Sequence, residues 1–223
     1  MATDDDVLEL RKWLADLWPK VRQLRLDHHI FSEVQTMIAN NPNLHRSSHF
    51  YEWLRNMYVS GMTMAIRRLM DDDKRTRSLL RFLLVVRSDR DVVSRARYRQ
   101  LYVDRNNYSE GFMWRYVENT YDSYVGPGDA EPPIQQVQGQ IDELRRRTRL
   151  FVELGNKVIG HSDATPPTTL PTFAEVDDVV SSMEAILQYY TQLLTAAHRG
   201  ADINWQYDWK AIFRVPWIPS KTS

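Results

Sequence analysis

The spacing of apolar residues constrains the fold of this chain more than any other feature, because they recur every three or four positions along most of its length. The clearest case is segment 46–70, whose apolar stripe comprises Phe50, Trp53, Leu54, Met57, Tyr58, Gly61, Met64, Ala65 and Leu69. This pattern is typical of a packed helix. At about 1.5 Å per residue the segment would be roughly 37 Å long, which is the length of a bundle helix.

Helical periodicity also predicts helices over 4–40, 77–88, 90–103, 110–124, 134–160 and 174–198. Thr3 and the three aspartates after it can cap the first segment, which Pro19 divides in two or restarts. A short Pro-rich linker joins the last two segments, which makes them antiparallel neighbours. We therefore predict an all-α antiparallel helical bundle with additional short helices over residues 1–200. An aromatic C-terminal tail, 201–223, is expected to pack on the bundle or on a dimer partner.

Composition excludes several classes of protein. The absence of cysteine excludes a disulfide framework, a zinc finger and a thiol nucleophile. Only eight glycines in 223 residues are too few for a turn-rich β protein or a phosphate-binding glycine loop. His45 and His49 lie four residues apart, but no third metal ligand is evident. The chain shows no long apolar run and no secretion signal, so we expect a cytoplasmic protein that uses no membrane, metal or cofactor.

The net charge of zero conceals an uneven distribution of arginine. The chain has 23 arginines and 6 lysines, and residues 67–105 contain twelve basic and six acidic side chains. A second basic cluster comprises Arg145, Arg146, Arg147 and Arg149. Arginine binds phosphate through paired hydrogen bonds, so one interpretation is an anionic partner. The other interpretation is a solvated helix face, and the sequence leaves both open.

The segment from Gly155 to Asp163 is the strongest candidate for chemistry, because polar residues suddenly follow a regular apolar stripe. If the helix continues, Lys157 and His161 lie on the same side. A histidine with a pKa of about 6.5 can act as a general acid or base, and a neighbouring ammonium can hold a phosphate oxygen. The alternative is an ordinary helix C-terminus, where His161 meets free carbonyl groups and Asp163 caps the next turn.

This segment resembles the signature of HEPN domains, small all-α domains in which an arginine precedes a histidine by a few residues. Asn156, Lys157, His161, Ser162 and Asp163 match the abortive-infection (AbiU-like) branch as they stand. The stretch 50–54 continuing to 67–71, and the stretch 78–83, are similar to further parts of that branch. The likeness extends over residues 5–198.

The resemblance implies a homodimeric, metal-independent ribonuclease, with RNA or another protein as partner. In that mechanism His161 handles a proton, Asn156 orients it and Lys157 engages phosphate. Substrate contacts would come from Arg145, Arg146, Arg149, Ser162 and Asp163.

The chain departs from the family at Gly155, which occupies the position of the motif arginine. Losing a cationic donor typically lowers a rate by about 10²- to 10³-fold. Either Lys157 or an arginine of 145–149 substitutes for it, or the site is inactive. In the second case the domain would be a non-catalytic dimerisation module that partners a toxin, an antitoxin or a nucleotidyltransferase. Gly155 also lies on the apolar stripe, where a glycine lets two helices approach closely.

Overall fold

The computed structural model describes residues 2–44, 49–106, 112–160, 170–198 and 208–215, and every regular element among them is helical. The α-helices are α1 (Asp4–Ala39), α2 (His49–Leu69), α3 (Leu79–Ser88), α4 (Arg95–Asn106), α5 (Phe112–Val125), α6 (Ile134–Leu154) and α7 (Phe173–Thr195). Short 3-10 helices span Pro42–Leu44, Arg90–Val93 and Trp209–Arg214, and a π-helical turn spans Gly155–Gly160. The predicted all-α class is confirmed. Within the described ranges, no helix has the length and apolar character needed to cross a membrane.

The four long helices form a ring in which each packs against two others. Helix α1 contacts α7 and α2, and α6 contacts the same two helices from the opposite side. Trp18 Nε1 donates to Thr191 Oγ1 at 2.8 Å, and Arg25 Nη2 donates to Glu184 Oε2 at 2.7 Å. Between these two pairs the residue number rises in α1 and falls in α7, so the two helices are antiparallel. The ring is therefore the framework of a helical bundle.

Helices α6 and α7 are antiparallel, as their short linker predicts. Gln136 Nε2 donates to Tyr189 Oη at 3.1 Å, and an Arg147 guanidinium nitrogen lies 3.8 Å from an Asp178 carboxylate oxygen. Their shared core consists of buried side chains at the apolar positions that recur every three or four residues along both helices, among them Val137, Ile141, Leu144, Phe151, Val179, Val180, Met183, Leu187 and Tyr190. The helical periodicity predicted over 134–160 and 174–198 therefore corresponds to the core-facing sides of α6 and α7.

The N-terminal cap of α1 is confirmed, whereas the predicted break at Pro19 is wrong. Thr3 and Asp6 form a capping box, in which the Thr3 hydroxyl accepts from the Asp6 N–H and the Asp6 carboxylate accepts from the Thr3 N–H. The helix then runs without interruption through Pro19. A proline in a helix removes one backbone hydrogen bond. Trp18 and Val21, on either side of it, are both buried, and this packing keeps α1 continuous.

The predicted packing face of α2 is also wrong over its first half. Phe50, Trp53 and Met57 are 57%, 55% and 56% exposed. The side chains that α2 buries come later in the helix and are Met62, Thr63, Ile66 and Leu69. The apolar spacing identified the helix correctly, but periodicity alone does not show which of two apolar faces meets the core. We refer to Phe50, Trp53 and Met57 as the α2 seam.

Lys210, in the described part of the tail, pairs with Glu33 of α1. This ion pair ties the tail to α1 at Lys210, while none of the residues in the short helix Trp209–Arg214 is buried. Residues 201–207 and 216–223 lie outside the described residues, so the packing of the whole tail stays a prediction.

A buried histidine lies among aromatic rings between α1, α2 and α7. His28 Nδ1 is 2.7 Å from the Tyr58 hydroxyl, and its ring lies against Phe173 at 5.9 Å between centroids. Burial lowers the pKa of His28; Asp177 opposes this shift, and Arg25 and His29 add to it. Because the folded state then binds a proton less readily than the unfolded chain, acid favours unfolding.

We expect the free energy of unfolding to be fully maintained above about pH 6.5, the ordinary pKa of histidine, and to fall as the pH drops below it. The His28→Gln variant should lose stability less steeply over the same range. Urea denaturation at several pH values measures this difference. His49→Gln is the matched control, because the His49 side chain is fully exposed. Equal slopes for wild type and His28→Gln would contradict the prediction.

Candidate functional site

The candidate site lies where α6 passes into its π-helical turn. Gly155 is buried and keeps a right-handed helical conformation, with φ −62° and ψ −37°. Its N–H still bonds to the carbonyl groups of Phe151 and Val152. The chain therefore does not end its helix at Gly155, and it carries the following residues onward in a wider turn. Single π-helical turns are rare and are frequent at functional sites.

Gly155 is in close contact with α2. A Cβ atom built on Gly155 would lie 2.8 Å from Arg67 Cδ and 3.4 Å from Thr63 Cγ2. Contacts under 3.0 Å essentially never occur for real Cβ atoms, so any other residue here would displace Arg67. The close-approach interpretation of Gly155 agrees with this geometry.

Beyond its contact with Gly155, the Arg67 side chain reaches Asn156, the next residue of the motif. Its Nε donates to Asn156 Oδ1 at 2.7 Å. Asn156 and Lys157 are both exposed, whereas Leu154 and Gly155 are buried. The turn thus presents the Asn156 amide and the Lys157 ammonium group at the surface, directly after the last buried residues of α6. The Arg67 guanidinium of α2 is bonded to that amide.

The other predicted residues of the motif, His161, Ser162 and Asp163, lie outside the described residues. Their predicted roles, and the predicted pairing of Lys157 with His161, stay predictions. His45, of the histidine pair 45 and 49, also lies outside them.

The arginines of 145–149 do not gather around Gly155. Arg146 lies nine residues before Gly155, which is two and a half turns, so it projects from the opposite side of α6. Both Arg146 and Arg147 bond to Glu143, and these hydrogen bonds lower the pKa of Glu143 to about 2. Arg149 lies 4.0 Å from Glu153.

A cavity of about 490 Å³ beside these arginines faces α7 and contains acidic as well as basic groups. Its lining is Arg146, Arg147, Arg149, Leu150, Glu175, Asp178 and Val179. Arg145 is exposed. This mixture of charges is less suited to a phosphate than a purely basic surface would be.

Most arginines of the basic segment 67–105 serve the fold. Among the described residues, six of them pair with carboxylates. The pairs are Arg75 with Asp73, Arg77 with Glu9 and Asp16, Arg90 with Glu131, Arg95 with Glu118 and Asp122, Arg97 with Asp4 and Asp91, and Arg99 with Glu118. Arg87 instead donates to Gln138. The excess positive charge that the sequence shows is therefore largely neutralised by residues distant in the chain.

Arg67 is the site residue that sequence reasoning missed. Its bonding partner lies 89 positions away, so no local pattern connects the two. The available signal was Gly155 itself, because a rare glycine on an apolar stripe indicates a close neighbour. The sequence did not identify that neighbour as an arginine.

Comparisons with known proteins give no match, whether to a family model, a curated protein or a solved structure. The likeness to HEPN domains therefore depends on the quoted residues alone. Those residues, together with the geometry of the π-helical turn and of Arg67, are the grounds for assigning a function to this chain.

Proposed function

We propose that this chain is a HEPN-like, RNA-binding or metal-independent endoribonuclease protein of a phage-defence or toxin–antitoxin type system. The observation that carries the proposal is the abrupt change at Gly155. A stripe buried from Val137 to Gly155 gives way to exposed Asn156 and Lys157, on a π-helical turn that leads directly to His161. A polar, irregular turn at the end of a core helix is a suitable position for acid–base chemistry.

In the proposed reaction the 2′-oxygen of the RNA bonds to the scissile phosphorus as the bond from phosphorus to the leaving 5′-oxygen breaks. His161 either accepts the proton of the 2′-hydroxyl or donates a proton to the leaving oxygen, and Lys157 engages a phosphate oxygen. Asn156, fixed by Arg67, holds the turn in place. Cationic donors next to a phosphate stabilise the charge that develops in the transition state, and this is usually the largest catalytic contribution. Ser162, Asp163 and the exposed Arg145 and Arg149 are proposed as outer contacts to the RNA.

A homodimer is the second part of the proposal, and the α2 seam supports it. The rings of Phe50 and Trp53 lie 5.7 Å apart between centroids, tilted by 32°, while remaining more than half exposed. One turn after Met57 lies the exposed Gly61, and a Cβ atom there would meet nothing within 4 Å. Large rings followed by a small residue along one helix suit an antiparallel second copy, because the rings of each copy fit against the glycine of the other.

We expect Trp53→Glu to convert the dimer to a monomer, with a dimer dissociation constant raised more than tenfold, because buried tryptophans dominate interface energies. Size-exclusion chromatography with light scattering measures the mass in solution. Leu8→Glu is the control, since Leu8 is similarly exposed on α1, away from the seam. A dimer that survives Trp53→Glu, or that Leu8→Glu disrupts equally, would count against the seam.

The alternative function is a non-catalytic dimerisation module that partners a toxin, an antitoxin or a nucleotidyltransferase. Gly155 favours this alternative, because the residue at the position of the motif arginine carries no charge and lies in close contact with α2.

The test is incubation of the purified chain with labelled single-stranded RNA in the presence of EDTA. Cleavage supports the nuclease, and binding without cleavage supports an RNA-binding role. A protein that neither cuts nor binds RNA, and that retains a protein partner in a pull-down, would overturn the proposal in favour of the alternative.

A further inference from the structure

We propose that Arg67 is a phosphate-binding cation of this site, in addition to Lys157, and that it reaches a single-stranded RNA phosphodiester from α2, across the space left by Gly155. The inference deepens the proposed function and rests on it. Three independent features of Arg67 carry it, namely its position, its free donors and its orientation.

The position of Arg67 depends on the absence of a side chain at 155. Its Cδ atom lies 2.8 Å from where a Cβ of residue 155 would be, and its own Cβ lies 3.6 Å from the same point. The aliphatic stem of Arg67 therefore covers Gly155. The guanidinium extends beyond it to Asn156, at the start of the polar turn. Glycine at 155 and arginine at 67 thus form one arrangement, in which α2 supplies the charge that α6 lacks.

Arg67 also differs from most arginines of 67–105 in the N–H donors that it leaves without a partner among the described residues. A guanidinium has five N–H donors, and Asn156 accepts from only one of them, the Nε–H. No carboxylate of the described residues pairs with Arg67, whereas six other arginines of 67–105 have such a partner. The four N–H groups on its Nη atoms are the fork that binds phosphate.

Two further cations lie next to Arg67 and Asn156 in the chain. Arg68, next in α2, is exposed and has no carboxylate partner among the described residues, and Lys157 is exposed on the facing turn. The Nε bond at 2.7 Å to Asn156 fixes the plane of the Arg67 guanidinium. A donor held in position before binding loses less conformational entropy when the ligand arrives.

The experiment measures RNA binding by fluorescence anisotropy, using a short single-stranded RNA with 2′-O-methyl groups, so that cleavage does not interfere. Arg67→Met keeps the stem over Gly155 but removes the guanidinium. We expect it to bind about tenfold more weakly, with the slope of log affinity against log salt reduced by about 0.7, the value for one phosphate contact of a single strand. Arg75→Ala is the control, because that arginine is exposed and its ion-pair partner in the described part of the chain is Asp73.

A charge swap provides the decisive arm. In Arg67→Ala/Gly155→Arg the obstructing side chain is gone and the guanidinium starts from α6, so we expect binding to recover to within about threefold of wild type. The inference would be overturned if Arg67→Met and Arg75→Ala bound RNA with equal affinity. It would also be overturned if the double variant folded but bound RNA no better than Arg67→Ala. Calorimetric titration with inorganic phosphate tests whether the site is specific for an RNA phosphodiester or binds any free phosphate. If Arg67 bound free phosphate as tightly as it binds RNA, the proposal that its ligand is an RNA phosphodiester would be overturned.

Failure of the inference is distinguishable from failure of the proposed function. A wild-type chain that binds no RNA refutes the function itself. A chain that binds RNA and loses nothing in Arg67→Met refutes only the role of Arg67.

Discussion

Replacement of His161 by alanine is expected to lower RNA cleavage by about 10²- to 10⁴-fold, the usual contribution of a general acid or base. The chain has no cysteine, and its sequence has no phosphate-binding glycine loop, so His161 is the proposed proton-transferring side chain of the motif. Alanine removes the group that transfers the proton and leaves Asn156, Lys157 and Arg67 in place. RNA binding should therefore change much less than the cleavage rate.

Single-turnover cleavage of labelled RNA, followed on a denaturing gel, measures the effect. The matched control is His198→Ala, because His198 is an exposed histidine just beyond α7. Circular dichroism of both variants checks that the bundle still folds. An unchanged rate in His161→Ala would exclude acid–base catalysis by this motif and leave the non-catalytic module as the function.

Much of the fold was predictable from spacing, because a helix that packs against several neighbours must repeat its apolar residues every three or four positions. The stripes of α6 and α7 meet this condition and were assigned to the correct face. The stripe of α2 was not, because that helix is apolar on two sides and only one of them meets α1 and α6. Which side is buried depends on tertiary packing, and the sequence of α2 alone does not contain it.

At the candidate site too, residues within one motif could be predicted from the sequence, whereas contacts between residues far apart in the chain could not. Asn156 and Lys157 were identified from the motif, and both are exposed on the turn. The role of arginine was harder to predict, since ion pairs depend on residues far apart in the chain. Arg77 pairs with residues of α1, for example, and Arg67 with an amide of the π-helical turn. Counting charges over 67–105 could not separate the arginines that stabilise the fold from those that have no carboxylate partner among the described residues, such as Arg67.

Arg25 joins α1 to α7 through a largely buried ion pair with Glu184, and we expect Arg25→Ala to lower the free energy of unfolding by about 3 kcal/mol. Its Nε and Nη2 donate to the two oxygens of Glu184 at 3.1 and 2.7 Å, and Nη2 also donates to Ser181 Oγ at 2.7 Å. Glu184 is only 8% exposed. Removing one partner of a buried pair leaves the other charge without compensation, which typically costs about 3–5 kcal/mol. The remaining exposure of Arg25 places the effect at the lower end of that range.

Thermal unfolding followed by circular dichroism should show a melting temperature about 6–12 °C lower, given about 2–4 °C per kcal/mol for a chain of this size. Arg75→Ala is again the control, because its ion pair is exposed and should leave the melting temperature unchanged. The double variant Arg25→Ala/Glu184→Leu removes the buried charge as well, so it should be more stable than Arg25→Ala alone. If the double variant were instead as unstable as the single one, the loss would come from packing of the Arg25 stem between α1 and α7, and the uncompensated charge of Glu184 would not be its cause.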